Sequence, residues 1–85
     1  MINDKIFEKV RQCVASVFNL EKESVSPDSS YETIPNWDSL GHLRLIMAVE
    51  EAFAVRFATE EIPTLLNVRL LCDTVGKYVG IRAGD

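Results

Sequence analysis

Apolar residues recur along the first twenty positions at steps of three, four and one: Ile6, Phe7, Val10, Cys13, Val14, Val17 and Phe18. That spacing follows the 3.6-residue period of an amphipathic α-helix. Lys5, Glu8, Lys9, Arg11 and Gln12 fall mostly on the other face. Asn3 or Asp4 can cap the start by accepting a backbone N–H, and Asn19 is expected to end the helix.

Residues 19–38 follow neither a helical nor an alternating pattern. Ser24, Ser26, Pro27, Asp28, Ser29, Ser30 and Pro35 punctuate them, while Leu20, Val25, Tyr31, Ile34 and Trp37 are spaced apolar anchors. A connection this long in a small domain is functional or tied down, so an ordered loop packed over the core is expected. A second helix is predicted from Asp38, a good N-cap, to about Phe53. Leu45, Ile46, Val49, Ala52 and Phe53 make its core face, and Leu40, Leu43 and Met47 form a different apolar flank. Such a second flank either docks a partner or joins the core. Thr59, Glu60, Glu61 and Ile62 predict a short, irregular third helix before Pro63. Asn67 caps a last helix whose apolar side is Val68, Leu71, Cys72, Val75 and Val79, with Gly80 and Gly84 marking a fraying end. No period-2 alternation appears, so the predicted class is all-α, in one domain spanning 1–85.

Composition changes this picture little: 47% hydrophobic and 26% charged residues make an ordinary globular mix. No apolar run reaches the roughly 20 residues of a membrane span. The start, Met-Ile-Asn-Asp-Lys, is not that of a signal peptide. Cys13 and Cys72 both lie in helix-patterned stretches, which predicts buried, reduced thiols in a cytoplasmic protein. Two cysteines with a single histidine predict no metal site. The net charge of −4 is concentrated in residues 28–61, where Asp28, Glu32, Asp38, Glu50, Glu51, Glu60 and Glu61 face only Arg44 and Arg56. That balance argues against nucleic acid as a partner and favours basic protein surfaces.

Familiar catalytic constellations are missing. Asp38, Ser39 and His42 are too close in sequence to align as orienter, nucleophile and base, so no catalytic activity is expected. Asp38-Ser39-Leu40 nevertheless stands out, because it places a serine at the first position of a helix at the end of a long loop. There the backbone N–H groups and the positive end of the helix dipole favour an attached phosphate.

These features together resemble the acyl carrier protein family. The resemblance runs through the first helix, Ser26-Pro27-Asp28-Ser29-Ser30-Tyr31, Trp37-Asp38-Ser39-Leu40, Met47-Ala48-Val49-Glu50-Glu51-Ala52-Phe53, Glu60-Glu61 and Asn67-Val68. It implies a four-helix bundle with a short third helix. It also implies 4′-phosphopantetheine, derived from coenzyme A, attached to Ser39 within a motif completed by Asp38 and Leu40, with acyl groups carried as thioesters on its thiol. The implied partners are a phosphopantetheinyl transferase and acyl-loading and acyl-transferring enzymes, with the carrier itself a monomer. Leu40, Leu43, Arg44, Met47, Glu50, Glu51, Glu60 and Glu61 would meet them.

Gly41 and Arg44 stand where fatty-acid carriers usually have acids, and Asn36-Trp37 replaces small residues. These departures favour a dedicated pathway, fatty-acid or polyketide-like, with its own partners. A D-alanyl, aminoacyl or peptidyl carrier is the alternative, and an unmodified helical adaptor a more distant one. His42 is expected to border the core and bond to the loop; the alternative is a pH-sensitive or arm-contacting role.

Overall fold

The computed structural model describes residues 3–83, with side chains for 3–80. Three helices form the bundle: α1 (Asp4–Phe18), α2 (Ser39–Phe53) and α3 (Val68–Ala83). α1 packs against both others. Single 3₁₀ turns occupy Lys22–Ser24 and Ile62–Thr64. The second of these is the expected short third helix, reduced to one turn, because Pro63 within it removes an N–H that a longer helix would need. Among the described residues there is no strand, only an isolated bridge between Ser30 and Asn67.

The helix ends follow their capping residues. Asn3, rather than Asp4, caps α1, its side chain accepting from the amides of Lys5 and Ile6. Asn19 closes that helix in the left-handed conformation, at φ 57°. Asp38 caps α2 by accepting from Gly41 N at 2.8 Å. Asn67 caps α3 by accepting from Leu70 N at 2.8 Å. α3 runs on through Gly80; Gly84 lies outside the described residues.

Val10, Val14 and Phe18 of α1, Leu45, Ile46 and Val49 of α2, and Val68, Leu71, Cys72 and Val75 of α3 form the core. Burial of these apolar surfaces is the main drive for a bundle this small. The long loop is ordered, as its anchors predict: Val25, Ile34 and Trp37 are buried. Tyr31 departs from that expectation and is 49% exposed, although its amide donates to Leu66 O and stitches the loop to the segment before α3. The loop's carbonyls are also held, with Arg11 donating to Val25 O through Nε and Nη2 and Val68 N donating to Ser29 O. Both cysteines are free thiols; Cys72 is buried, but Cys13 is only partly so.

Candidate functional site

The end of the long loop and the start of α2 bring the distinctive residues together. Ser39 is the first residue of α2 and is exposed. Asp38 spends one carboxylate oxygen on Gly41 N, and its own carbonyl accepts the first helical bond, from His42 N at 2.7 Å. The amides of Ser39 and Leu40 precede any helical partner and remain directed out of the helix start.

Ser39 differs from Ser26, Ser29 and Ser30 of the loop. Ser29 Oγ accepts from Ser26 N, Ser26 Oγ from Asp28 N, and Ser30 Oγ from Glu32 N, each fixing a turn. No hydrogen bond within the described residues engages the Ser39 hydroxyl.

Two depressions flank this position. One, of about 640 Å³, is lined by Ser39, Leu43, Ile62, Pro63, Leu66 and Tyr31, with Trp37 and His42 at its base. The other, of about 260 Å³, lies on the opposite side and includes Leu40, Gly41, Arg44 and Asn36. Ser39 thus stands beside an apolar groove, while Arg44 borders the smaller hollow.

Beneath the larger groove His42 uses both ring nitrogens. Nδ1 accepts from the Trp37 indole N–H at 2.9 Å, and Nε2 donates to Ile62 O at 2.7 Å. The acceptor role of Nδ1 selects the neutral tautomer protonated at Nε2. His42 therefore borders the core and bonds to the loop, as expected, and it also fastens α2 to the Ile62–Thr64 turn. Its bond to Trp37 had a partial sequence signal in the bulky residue before Asp38; its bond to Ile62 had none.

On α2, Leu40, Leu43 and Met47 are 61%, 52% and 66% exposed, so the second flank lies outside the core. Arg44 is exposed and, among the described residues, has no carboxylate within ion-pair distance. The four acids divide. Glu51 and Glu60 are exposed, whereas Glu50 accepts from Phe57 N at 2.9 Å. Glu61 accepts from Ala58 N and from the Tyr78 hydroxyl. The bond to Glu61 raises the Tyr78 hydroxyl pKa, because a carboxylate acceptor stabilises the protonated phenol.

Residues 8–75 match the family model described as a phosphopantetheine attachment site. An acyl carrier protein of Thermosynechococcus vestitus is 37% identical over 79 residues, covering 93% of this chain and 98% of that protein. The chain belongs to the acyl carrier protein family. A second acyl carrier protein, from Guillardia theta, is 28% identical over 79 residues, with the same coverage of 93% and 98%. Membership makes phosphopantetheine the prosthetic group of this carrier. The start of α2 suits that group: the exposed hydroxyl is uncommitted, two backbone amides are free to face a phosphate, and an apolar groove opens alongside. Among the described residues, no helix of the carrier is long and apolar enough to cross a membrane.

Proposed function

We propose that the protein is a non-catalytic acyl carrier of a dedicated cytoplasmic pathway, with Ser39 as its attachment residue. The observation that carries this reading is the uncommitted, exposed Ser39 hydroxyl at the N-terminus of α2 in a chain of this family. In the modification, Ser39 Oγ forms a bond to the phosphorus that bears pantetheine in coenzyme A. The pyrophosphate P–O bond breaks, adenosine 3′,5′-bisphosphate leaves, and the serine proton passes to the transferase. Asp38 holds the helix start open toward solvent, and the amides of Ser39 and Leu40 face the resulting phosphodiester. The bound arm supplies a terminal thiol for acyl groups.

Leu40, Leu43 and Met47 provide the apolar contact for partner enzymes. Arg44, Glu51 and Glu60 provide charges that set which partners fit. Glu50 and Glu61, committed to the Phe57 and Ala58 amides, shape the segment after α2 and contribute less to that contact.

The test is an intact mass before and after incubation with coenzyme A and a phosphopantetheinyl transferase. One arm is gained by the wild type and none by Ser39→Ala, whose far-ultraviolet circular dichroism remains helical. Modification at Ser16, Ser24, Ser26, Ser29 or Ser30 instead, or no mass gain in the wild type, overturns the reading.

A further inference from the structure

Among the described residues the Ser39 hydroxyl has no hydrogen bond of its own, yet the residues on either side of it are tied to one another across it. Trp37, two positions before Ser39, donates its indole N–H to Nδ1 of His42, three positions after it, at 2.9 Å. Inside that closure Asp38 accepts from Gly41 N at 2.8 Å. The two rings are 3% and 8% exposed, with planes 18° apart. Phe18 of α1 stacks on Trp37, with centroids 5.6 Å apart. From its other edge His42 donates Nε2–H to Ile62 O at 2.7 Å. One imidazole thus joins the end of the loop, the first turn of α2 and the 3₁₀ turn around Ser39.

We propose that His42 is a positioning residue for attachment of the phosphopantetheine arm, acting through its bond to Trp37 to fix the loop end that leads into Ser39. This rests on Ser39 being the attachment residue. A nucleophile without a bond of its own is oriented by the backbone that bears it, and that backbone is held by the neighbours locked around it. Displacement by about an ångström is enough to lower the rate of a group transfer by up to about a hundredfold. Loss of the acceptor at Nδ1 strands the indole N–H in a buried site. The loop end then shifts until that group reaches water, and Asp38 and Ser39 move with it. The bond to Ile62 O has a different part: it ties α2 to the 3₁₀ turn and leaves the loop end free. Leu40, Leu43 and Met47 stand outside this brace on the exposed flank, so docking of the transferase there is separate from the presentation of the hydroxyl. His42 itself touches no reacting atom.

The test follows arm transfer from coenzyme A by a phosphopantetheinyl transferase, read by intact mass, with kcat and the KM for the carrier determined separately. Circular dichroism in the same buffer gives the folded fraction, and Trp37, the chain's single tryptophan, reports the loop end by its emission. His42→Gln brings an amide nitrogen to Ile62 O but leaves no acceptor in place of Nδ1. Its kcat is expected to fall by about tenfold with KM within about twofold of wild type, and its Trp37 emission to move to the red. His42→Asn places a carbonyl oxygen where Nδ1 stands and gives up the bond to Ile62 O. It is expected to restore kcat to within about threefold of wild type and to keep Trp37 buried. Trp37→Phe removes the same bond from the loop side, is expected to lose kcat as His42→Gln does, and decides the matter if the His42 variants do not fold. Wild-type kcat in a folded His42→Gln or Trp37→Phe overturns the proposal, as does a loss confined to KM. Equal losses in His42→Asn and His42→Gln show that the Trp37 bond is not the brace. A wild type that gains no arm, or gains it on another serine, overturns the attachment reading instead.

Discussion

The carbonyl oxygen of Asn36 packs against Gly41 so closely that a Cβ there would stand 2.4 Å from it and 2.8 Å from the Phe18 ring. The residue before the Trp37 anchor thus rests on the bare backbone of α2, two residues after Ser39. An acid at this position has no room unless the loop moves, so the absence of the usual negative charge is a steric consequence of how the loop is packed.

Gly41→Ala is therefore expected to destabilise the protein by about 1–3 kcal/mol, the usual range for overpacking. Gly76 supplies the control. Its added Cβ would meet only Ile6, at an ordinary 3.7 Å. Gly76→Ala in the body of α3 should be stabilising by about 0.5–1 kcal/mol. Urea unfolding monitored at 222 nm separates the two; a neutral Gly41→Ala would contradict the close packing.

Ala54 ends α2 in the left-handed conformation, at φ 55°, which an L-residue with a Cβ adopts only at a cost. Val55 N donates to Glu50 O, completing the C-terminal cap around it. Ala54→Gly should relieve the strain and raise stability by up to about 1 kcal/mol, after glycine's greater unfolded-state entropy is subtracted. Thermal and urea midpoints should both rise.

Burial pushes the Cys72 thiol up to about 11, with Asp73 adding to the effect, and raises Cys13 as well. Folding therefore disfavours both thiolates. The sign follows: this contribution is full below about pH 9, the ordinary thiol value, and is lost as pH rises toward 11. Unfolding free energy should decline across that window, and less steeply in Cys72→Ala. At pH 8, a thiol reagent should label Cys72 slowly in the native protein and fast in urea, with Cys13 intermediate. Equal native and denatured rates at Cys72 would place it outside the core.

Met47 is exposed and touches the core little, so Met47→Ala should leave stability within about 0.5 kcal/mol of wild type. Loss of an anchor on the proposed partner surface should lower kcat/KM for a productive partner by roughly tenfold. Arg44→Glu should improve acceptance by a general fatty-acid transacylase that presents a basic patch, most clearly at low salt. Transfer rates at two ionic strengths check both; no gain for Arg44→Glu at low salt would show that this charge does not govern partner choice.

Much of the molecule was legible before folding because its signals are local. The 3.6-residue stripe of α1 and α3, the caps at Asn3, Asp38 and Asn67, and the left-handed stop at Asn19 depend on residues three or four apart. Leu40, Leu43 and Met47 could be set apart from the core face by angle, while only the packing showed that flank to be exposed, and Ser39 could be placed at the start of its helix by counting from its cap. The tertiary structure decided what depends on distant backbone. Tyr31 stays exposed while its loop neighbours Ile34 and Trp37 are buried. Glu50 and Glu61 turned to amides at Phe57 and Ala58, which no helical spacing relates to the partner surface. The base of the groove required Ile62 O to meet a histidine twenty positions earlier, and Gly41 had to be bare because of a carbonyl in the loop. Backbone carbonyls have no sequence signature of their own, so contacts made through them emerge only when the chain has closed on itself.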